Sequence, residues 1–263
     1  MTENRMNDAA AVKEQYLDSK NLDARMSIHE KYSINKLGYG NWIFQQYHFK
    51  EDIRILELGC GTGDLWTNRL DQLGPGTSLI LSDFSEGMVE VVRNKYSSHR
   101  NVSFEQINIE AIPYEAESFD VVIANMMLYH VPDLHRGLEE VRRVLKKDGT
   151  FYCTTFGENG IQQYLTQTLG NYGIHIDING AFTLQNGAQI LGEHFSVIHR
   201  VDYEDALEVT KTEDLLDYLF SMASIGNIGN VTREELYQCF EERKDAKGIL
   251  HIPKEYGMFR NQL

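Results

Sequence analysis

A short stretch of the chain combines glycines and acidic side chains in a pattern that could bind a nucleoside. Gly59, Gly61 and Gly63 follow an apolar run of strand length, and Glu57 precedes them. Glycine adopts backbone angles that other residues avoid, and it lets a ligand lie against the main chain. Asp83 ends the next apolar run, roughly 20 residues downstream, at the offset where an acid takes a ribose hydroxyl. The spacing therefore predicts a strand, a glycine turn and a second strand that together hold a ribose.

The charge around this loop indicates which nucleoside it could hold. A dinucleotide loop spaces its glycines G-x-G-x-x-G and offers a helix N-terminus to a pyrophosphate. Here the spacing is G-x-G-x-G, and Asp64 stands where the third dinucleotide glycine would be. Three acids around one loop would repel a pyrophosphate, whereas they suit a ligand that has a ribose and positive charge. S-adenosylmethionine carries a sulfonium, an ammonium and a ribose, and it has no phosphate.

Glu57, the three glycines and Asp83 together resemble the motif of the class I S-adenosylmethionine-dependent methyltransferases of small-molecule type, over about residues 53–156. The resemblance implies an α/β fold with a Rossmann-like seven-stranded mixed sheet, order 3-2-1-4-5-7-6, flanked by helices and carrying a helical cap. It also implies in-line transfer of a methyl group from S-adenosylmethionine to a small-molecule acceptor, with S-adenosylhomocysteine as product. One alternative is a dinucleotide-binding Rossmann-like protein with a chance glycine loop. The other is a non-catalytic S-adenosylmethionine-binding module or sensor.

The same resemblance assigns residues to the adenine ring. Family members usually carry a hydrophobic residue just past the ribose acid, and Phe84 or Met88 fits that description. Asn108 occupies a place where the family often has an aspartate that takes the adenine amino group. An asparagine carbonyl can accept the same hydrogen bond. Ile109 is then expected to cover the ring.

The fourth predicted strand, over 117–125, contains an apolar run at 121–124 and should be buried on both faces. Asn125, Tyr129 and His130 follow at its carboxyl end, where ligands of open α/β sheets bind. We therefore expect Asn125 at the cofactor, and Tyr129 and His130 beside the transferred methyl group. His130 is a candidate general base because histidine titrates near neutral pH. The alternative for both is packing, since methyl transfer needs no base when the acceptor is already nucleophilic.

The segment before the first strand, over 21–49, is rich in large side chains and cannot belong to the repeating βα core. It forms either two helices that pack on the sheet edge or a lid over the cofactor. Residues 24–33 resemble the corresponding segment of one group of small bacterial methyltransferases, in which an arginine or a tyrosine meets the cofactor's methionine end. On that basis Arg25 is predicted to hold the cofactor carboxylate in a two-pronged hydrogen bond. Tyr32 is predicted to line the methyl-transfer pocket.

Composition divides the chain into three parts. Residues 1–50 are predicted to form an N-terminal helical lid, and residues 51–157 the cofactor-binding core. Residues 158–263 should supply the acceptor-pocket helices and the last two strands of the same sheet. A helix is expected directly after the glycine loop, and another should end in a cationic turn at 146–149, before a strand over 150–156. Further helices are predicted over 161–169, 182–191, 212–222 and 232–244, and late strands over 195–209 and 249–260.

The chain is acidic, with a formal net charge of −14 and a pI of about 5.1. This balance argues against nucleic acid or an anionic membrane as the main partner, because phosphate binding needs a basic face. The polar N-terminal residues show no signal peptide, and no apolar run approaches membrane-spanning length. We therefore expect a cytoplasmic protein that acts as a monomer or homodimer on a small-molecule acceptor.

The cysteines and histidines lack the spacing of a metal site along the chain. Cys60, Cys153 and Cys239 are expected to be reduced packing residues, and Cys60 also counts among the cofactor-binding residues because it lies in the glycine loop. No bound metal is predicted. Three later histidines are also dispersed and are expected in the core or on the surface: His175, His194 and His199.

Overall fold

The chain contains a seven-stranded sheet. The computed structural model describes residues 27–221 and 231–263. The strands stand in the order β3-β2-β1-β4-β5-β7-β6, which confirms the order that the resemblance implied. The pairs β1–β2, β2–β3, β1–β4 and β4–β5 are all parallel. The strands are β1 Arg54–Leu58, β2 Ser78–Asp83, β3 Val102–Gln106, β4 Phe119–Asn125, β5 Leu145–Phe156, β6 Val197–Val209 and β7 Leu250–Gln262.

Helices lie between and beyond these strands. Residues 27–32 are helical, and the predicted helices over 161–169, 212–222 and 232–244 are confirmed within the described residues. The last of them begins with a capping box, in which Thr232 and Glu235 satisfy each other's backbone N–H groups. The α-helices are α1 Tyr39–Gln46, α2 Glu86–Tyr96, α3 Leu134–Val144, α4 Ile161–Leu169, α5 Gly187–Gly192, α6 Thr212–Ser221 and α7 Arg233–Glu241.

The prediction of a helix directly after the glycine loop is wrong. Two 3-10 turns, Asp64–Trp66 and Leu70–Gln72, occupy that stretch instead. Asn68 lies between them with a φ of 61°, a left-handed conformation that an α-helix cannot accommodate. The apolar residues do pack in the core, because Trp66 and Leu70 are both buried. They do so from two short 3-10 turns and not from an α-helix.

The predicted end of helix α3 is also wrong. The helix stops at Val144, and Leu145 already pairs with Phe119 of β4. The register between the two strands then shifts, so that residues 146–149 bulge out before Thr150 pairs. Lys146, which was expected to interact with the helix C-terminus, donates to both oxygens of Asp120 at 2.8 and 2.9 Å.

The helix predicted over 182–191 is shorter than expected, because α5 covers only Gly187–Gly192. The Asn186 side chain accepts a hydrogen bond from the backbone N–H of Thr183 at 2.7 Å, and Phe182 O accepts one from Thr155 Oγ1 at 2.8 Å. Side-chain bonds of this kind offer the backbone an alternative to helix. They therefore hold residues 182–186 in a turn.

The chain forms two compact units, each with its own hydrophobic core. The first unit contains the described residues up to Gly38 together with Phe156–Gly180 and Tyr203–Tyr256, and the second contains Tyr39–Thr155, Ala181–Asp202 and Gly257–Leu263. Leu165, Leu216, Leu219 and Phe240 are fully buried members of the first core, and Leu56, Val122, Leu138 and Phe151 of the second. The three-part division predicted from composition stays a prediction. Within the described ranges, no helix is long and apolar enough to cross a membrane.

Candidate active site

The glycine loop lies at the carboxyl end of β1, in the second unit. Gly59, Gly61 and Gly63 all have positive φ, at 69°, 54° and 69°. A Cβ at Gly59 would lie 2.9 Å from Met127 Cγ, and one at Gly63 would lie 2.8 Å from Val92 Cγ1. A Cβ at Gly61 would meet no described atom within 4 Å. Close packing therefore requires the outer two glycines, whereas the middle one faces open space that a ligand could fill.

Asp83 holds this loop in place from the end of β2. Its Oδ2 accepts a hydrogen bond from Gly61 N at 2.9 Å, and its Oδ1 accepts one from Ser85 N at 2.8 Å. Burial raises the pKa of the Asp83 carboxyl, and the backbone N–H donors offset part of that rise. A carboxylate offers about four acceptor sites, and the backbone donors are those of Gly61, Ser85 and Phe84. The side chain can therefore fix the loop and accept a ligand hydroxyl at the same time.

Glu57 lies beneath the loop and is only 3% exposed. Trp66 Nε1 donates to its Oε2 at 2.5 Å, and Asn125 Nδ2 donates to its Oε1 at 3.3 Å. Burial raises the pKa of the Glu57 carboxyl to about 7, the two donors lower it, and the nearby charge of Asp83 raises it further. Glu57 therefore changes charge near neutral pH.

Asn125, at the end of β4, links Glu57 to an aromatic cluster. Its Nδ2 also donates to the Tyr47 hydroxyl at 2.7 Å. Its Oδ1 is buried and accepts no hydrogen bond from the described part of the chain. A buried acceptor without a donor is costly, and such groups mark places where a ligand or water completes the site. An acidic carboxyl, an open glycine and an unused acceptor fit a cationic ligand that carries N–H groups.

The residues predicted at adenine lie on the elements that follow β2 and β3. Phe84 is 54% exposed, directly after the ribose acid, and Met88 is half-buried on α2. Asn108 caps a 3-10 turn, because its Oδ1 accepts from Glu110 N at 2.9 Å. Ile109 is buried in the core, where it faces Gly137 of α3. Their roles at the adenine ring stay predictions.

Tyr129 and His130 lie in a 3-10 turn, Leu128–His130, just beyond β4. Their ring centroids are 4.5 Å apart. The turn is preceded by Met126, which has a φ of 52° and donates its backbone N–H toward Thr154 O at 3.0 Å. Non-glycine residues with positive φ are uncommon and often occur near functional sites. The two rings are therefore neighbours at the carboxyl edge of β4, and their catalytic roles stay predictions.

The third candidate catalytic residue, Tyr32, belongs to the first unit. Its hydroxyl donates to Asp214 Oδ2 at 2.5 Å, and Lys31 Nζ donates to the other oxygen of Asp214 at 2.9 Å. Burial and the hydrogen bond to Asp214 raise the pKa of Tyr32. Arg25, predicted at the cofactor carboxylate, lies outside the described residues. Cys60 is half-buried, and it and the other two cysteines are free, as predicted.

Sequence reasoning missed the partners of Glu57. Trp66 donates to Glu57 directly, whereas Tyr47 is linked to it only through Asn125. No local pattern pairs an indole N–H with a carboxylate nine residues earlier in the chain. A buried acid next to a glycine loop does, however, require donors, and the nearest Trp is a reasonable place to look.

Comparison with known proteins places the chain in a family. A family model described as a methyltransferase domain matches residues 49–235. The demethylmenaquinone methyltransferase of Lactococcus lactis subsp. lactis (strain IL1403) is 42% identical over 104 residues, which are 38% of this chain and 41% of that protein. The malonyl-[acyl-carrier protein] O-methyltransferase of Bacillus cereus (strain ATCC 14579) is 32% identical over 163 residues, 62% of this chain and 55% of that protein. The chain thus spans about half the length of the curated relatives it matches.

The fold also matches solved methyltransferase structures. The phosphoethanolamine N-methyltransferase 2 of Haemonchus contortus, in complex with phosphomonomethylethanolamine and S-adenosylhomocysteine, superimposes with a TM-score of 0.57 at 16% identity, over 95% of this chain and 58% of that chain. At that identity the likeness concerns the fold alone. The family match covers most of the chain and includes the acidic glycine loop described above. The chain therefore belongs to the class I S-adenosylmethionine-dependent methyltransferases, with S-adenosylmethionine as its cofactor.

Proposed function

We propose that this protein transfers a methyl group from S-adenosylmethionine to a small-molecule acceptor by in-line displacement. The observation that carries the proposal is the buried Glu57 carboxyl beneath a glycine loop that Asp83 fixes. Both acids would repel a phosphate, and both suit a cationic nucleoside. The unused carbonyl oxygen of Asn125 adds an acceptor for an N–H group.

The residues present fit this cofactor, and each would have a distinct task. When bound, S-adenosylmethionine supplies a methyl group already activated by its sulfonium. Asp83 would take the ribose hydroxyls, and the ionised Glu57 would attract the positive charge of the methionine end. Gly61 leaves room for the ligand against the main chain. Holding the reacting groups in line and excluding water can contribute on the order of 7–11 kcal/mol to the rate.

The acceptor is proposed to be a small molecule, in keeping with the name of one relative. That relative is named for demethylmenaquinone, whereas another is named for malonyl-[acyl-carrier protein]. The neighbouring rings of Tyr129 and His130 would form part of the wall beside the acceptor. His130 would accept a proton only if the acceptor carries one when it attacks. At saturating cofactor, where Glu57 stays ionised, a rate that rises with pH through the histidine range in the wild type, and is flat in His130→Gln, would support that role.

Cofactor binding can be tested with a matched pair of glycine variants. Gly61→Ala and Gly173→Ala both place a Cβ at positive φ with no described atom within 4 Å, so that both carry the same backbone strain. Only the first adds a methyl group to the proposed ligand space. We expect calorimetry to show S-adenosylhomocysteine binding weakened at least about tenfold by Gly61→Ala, or about 1.4 kcal/mol, and little changed by Gly173→Ala.

Transfer itself requires a second measurement. Purified protein is incubated with methyl-labelled S-adenosylmethionine and small-molecule fractions of a bacterial extract, and labelled products are counted. A labelled small molecule supports the proposal, whereas cofactor binding without any product across the fractions favours the binding module or sensor. NAD that binds more tightly than S-adenosylhomocysteine would refute the interpretation of the acidic loop.

A further inference from the structure

Two histidines and a glutamate converge on the surface of the second unit. His135 Nδ1 lies 3.1 Å from His194 Nε2 and 3.5 Å from Glu193 Oε2. One ligand atom from each of the three residues lies within 4.8 Å of the others. The side chains of His135 and Glu193 are each 56% exposed. Imidazole nitrogen and carboxylate oxygen are the donors that zinc and similar divalent transition metals prefer.

The separations match the edges of a metal tetrahedron. Zinc binds histidine nitrogen at about 2.0–2.1 Å and carboxylate oxygen at about 2.0–2.2 Å, so two ligand atoms of a tetrahedral site stand about 3.3–3.5 Å apart. The two measured distances from His135 Nδ1, 3.1 and 3.5 Å, lie within about 0.2 Å of that range. The ligand atoms of His194 and Glu193 therefore already stand at tetrahedral separations from that of His135, and all three lie within 4.8 Å of one another.

The backbone holds these side chains in place. His135 is the second residue of helix α3, whose first turn is capped by Asp133. Glu193 is the C-cap of α5 and donates its N–H to Ile190 O at 3.3 Å. His194 N donates to Leu191 O at 3.0 Å, and Leu191 is fully buried. An ion here would therefore join α3 to the end of α5 through two histidines that are 59 positions apart in the chain.

We propose that His135, Glu193 and His194 form a surface site for a divalent transition metal of the zinc class, with the fourth position left to water. The site lies outside the residues proposed for the cofactor and the methyl acceptor. Its role would be to hold α3 and α5 together in the second unit. Dispersion of the histidines along the sequence concealed it, because only the fold brings His135 beside His194.

Zinc affinity provides the test. Protein freed of metal by a chelator is titrated with Zn²⁺ in competition with a chromophoric chelator, and Co²⁺ is used to detect tetrahedral coordination through its visible absorption. We expect one tight site in the wild type and a loss of at least about tenfold in affinity for His135→Ala and for His194→Ala, since even outer partners of a metal site contribute about 10–100-fold. Zn²⁺ should raise the melting temperature of the wild type but not of these variants.

His251→Ala is the matched control. His251 is equally exposed and has two acid neighbours, but Asp245 faces its Nε2 at 2.9 Å and Glu208 faces its Nδ1 at 3.9 Å. Carboxylates on opposite ring nitrogens cannot share one ion, so this variant should bind Zn²⁺ like the wild type. Circular dichroism of each metal-free variant checks that it folds. Equal Zn²⁺ affinity in the wild type and the His135→Ala/His194→Ala double variant, or an octahedral Co²⁺ spectrum, would overturn the proposal.

Discussion

Replacing Glu57 by glutamine tests the electrostatics of the candidate site most directly. The wild-type carboxyl is 3% exposed, and burial raises its pKa from 4.5 to about 7. Glutamine keeps the size of the side chain and an oxygen that can accept from Trp66 Nε1. It removes the ability to take on a negative charge. The variant should therefore lose the pH dependence that Glu57 contributes to stability.

The sign and size of that contribution follow from the two pKa values. Between pH 4.5 and about 7 the folded protein binds more protons at Glu57 than the unfolded chain does. Stability from this group is therefore fully present below pH 4.5, falls as the pH rises, and is lost above about pH 7. At about 1.36 kcal/mol for each pKa unit, the whole loss is about 3 kcal/mol. About 2.5 kcal/mol of it should fall between pH 5 and 8.

Urea denaturation without cofactor, at fixed ionic strength and at pH 5, 6, 7 and 8, gives the free energy of unfolding of both proteins. From pH 5 to pH 8, the free energy of unfolding of the glutamine variant should rise by about 2.5 kcal/mol relative to that of the wild type. The slope of this free energy against urea concentration should change little. Glu51→Gln, at an exposed acid of the same unit, controls for general charge effects. If the difference between wild type and Glu57→Gln stayed flat from pH 5 to 8, Glu57 would be ionised throughout and the reasoning would be wrong.

The ionisation of Glu57 should also appear in the pH dependence of cofactor affinity. A positive charge near a buried carboxyl lowers its pKa, so binding would expel the proton that Glu57 holds near neutral pH. With a free pKa of about 7, wild-type affinity should rise about tenfold between pH 6 and 8 beyond the rise seen in Glu57→Gln. The variant corrects for titration of the cofactor's own amino group. Parallel pH profiles of the two proteins would contradict a direct interaction between Glu57 and the cofactor.

Three further substitutions test the loop and the first unit. In Asp83→Asn only one side-chain oxygen remains, so either Gly61 N or Ser85 N loses its acceptor. The affinity for S-adenosylhomocysteine, measured by calorimetry, should therefore fall at least about tenfold. An unchanged affinity would contradict this prediction. Gly63→Ala places a Cβ 2.8 Å from a side chain of α2, and urea unfolding should show it less stable than the open-space variant Gly173→Ala by about 1–3 kcal/mol. Equal losses would mean that backbone strain alone matters. Lys254→Met leaves the Asp205 carboxylate buried without its cation and should cost about 3–5 kcal/mol. Adding Asp205→Asn should recover most of that loss, and no recovery would disprove the pairing.

The positions of the parallel strands could be predicted because their signals are local, whereas their order in the sheet came from the family resemblance. β1, β2 and β4 are mostly buried apolar runs, and the glycines and Asp83 mark the turn after β1 and the end of β2. Helix ends were less predictable. The cations at 146–147 are typical of a helix C-terminus, but Lys146 instead pairs with Asp120 on the neighbouring strand. A bulge between paired strands leaves no distinct mark in a single sequence.

The candidate site likewise contains some residues that the sequence indicates and others that only the fold brings together. Glu57, Gly61 and Asp83 could be proposed from spacing, because they lie at or beside one loop and Asp83 binds Gly61 N. Tyr47 and Asn125 could not be paired, since their hydrogen bond joins residues 78 positions apart. The same holds for His135 and His194. Contacts of this kind depend on how α1, β4, α3 and α5 pack, and packing is decided by the whole core.

Glu57 connects the stability of this protein to its proposed chemistry. A buried carboxyl with a pKa of about 7 stabilises the free protein less as it ionises. A cationic cofactor would offset that cost, because its positive charge would attract the ionised carboxyl in surroundings that are poor in water. Trp66 and Asn125 keep the carboxyl ionisable by donating to both of its oxygens. Asp83 adds a second negative charge from β2, so ionisation of both acids is least costly when a positive ligand is present. The same two carboxyls thus make the free loop less stable at neutral pH and, in the proposed role, would make it selective for a positively charged nucleoside without phosphate.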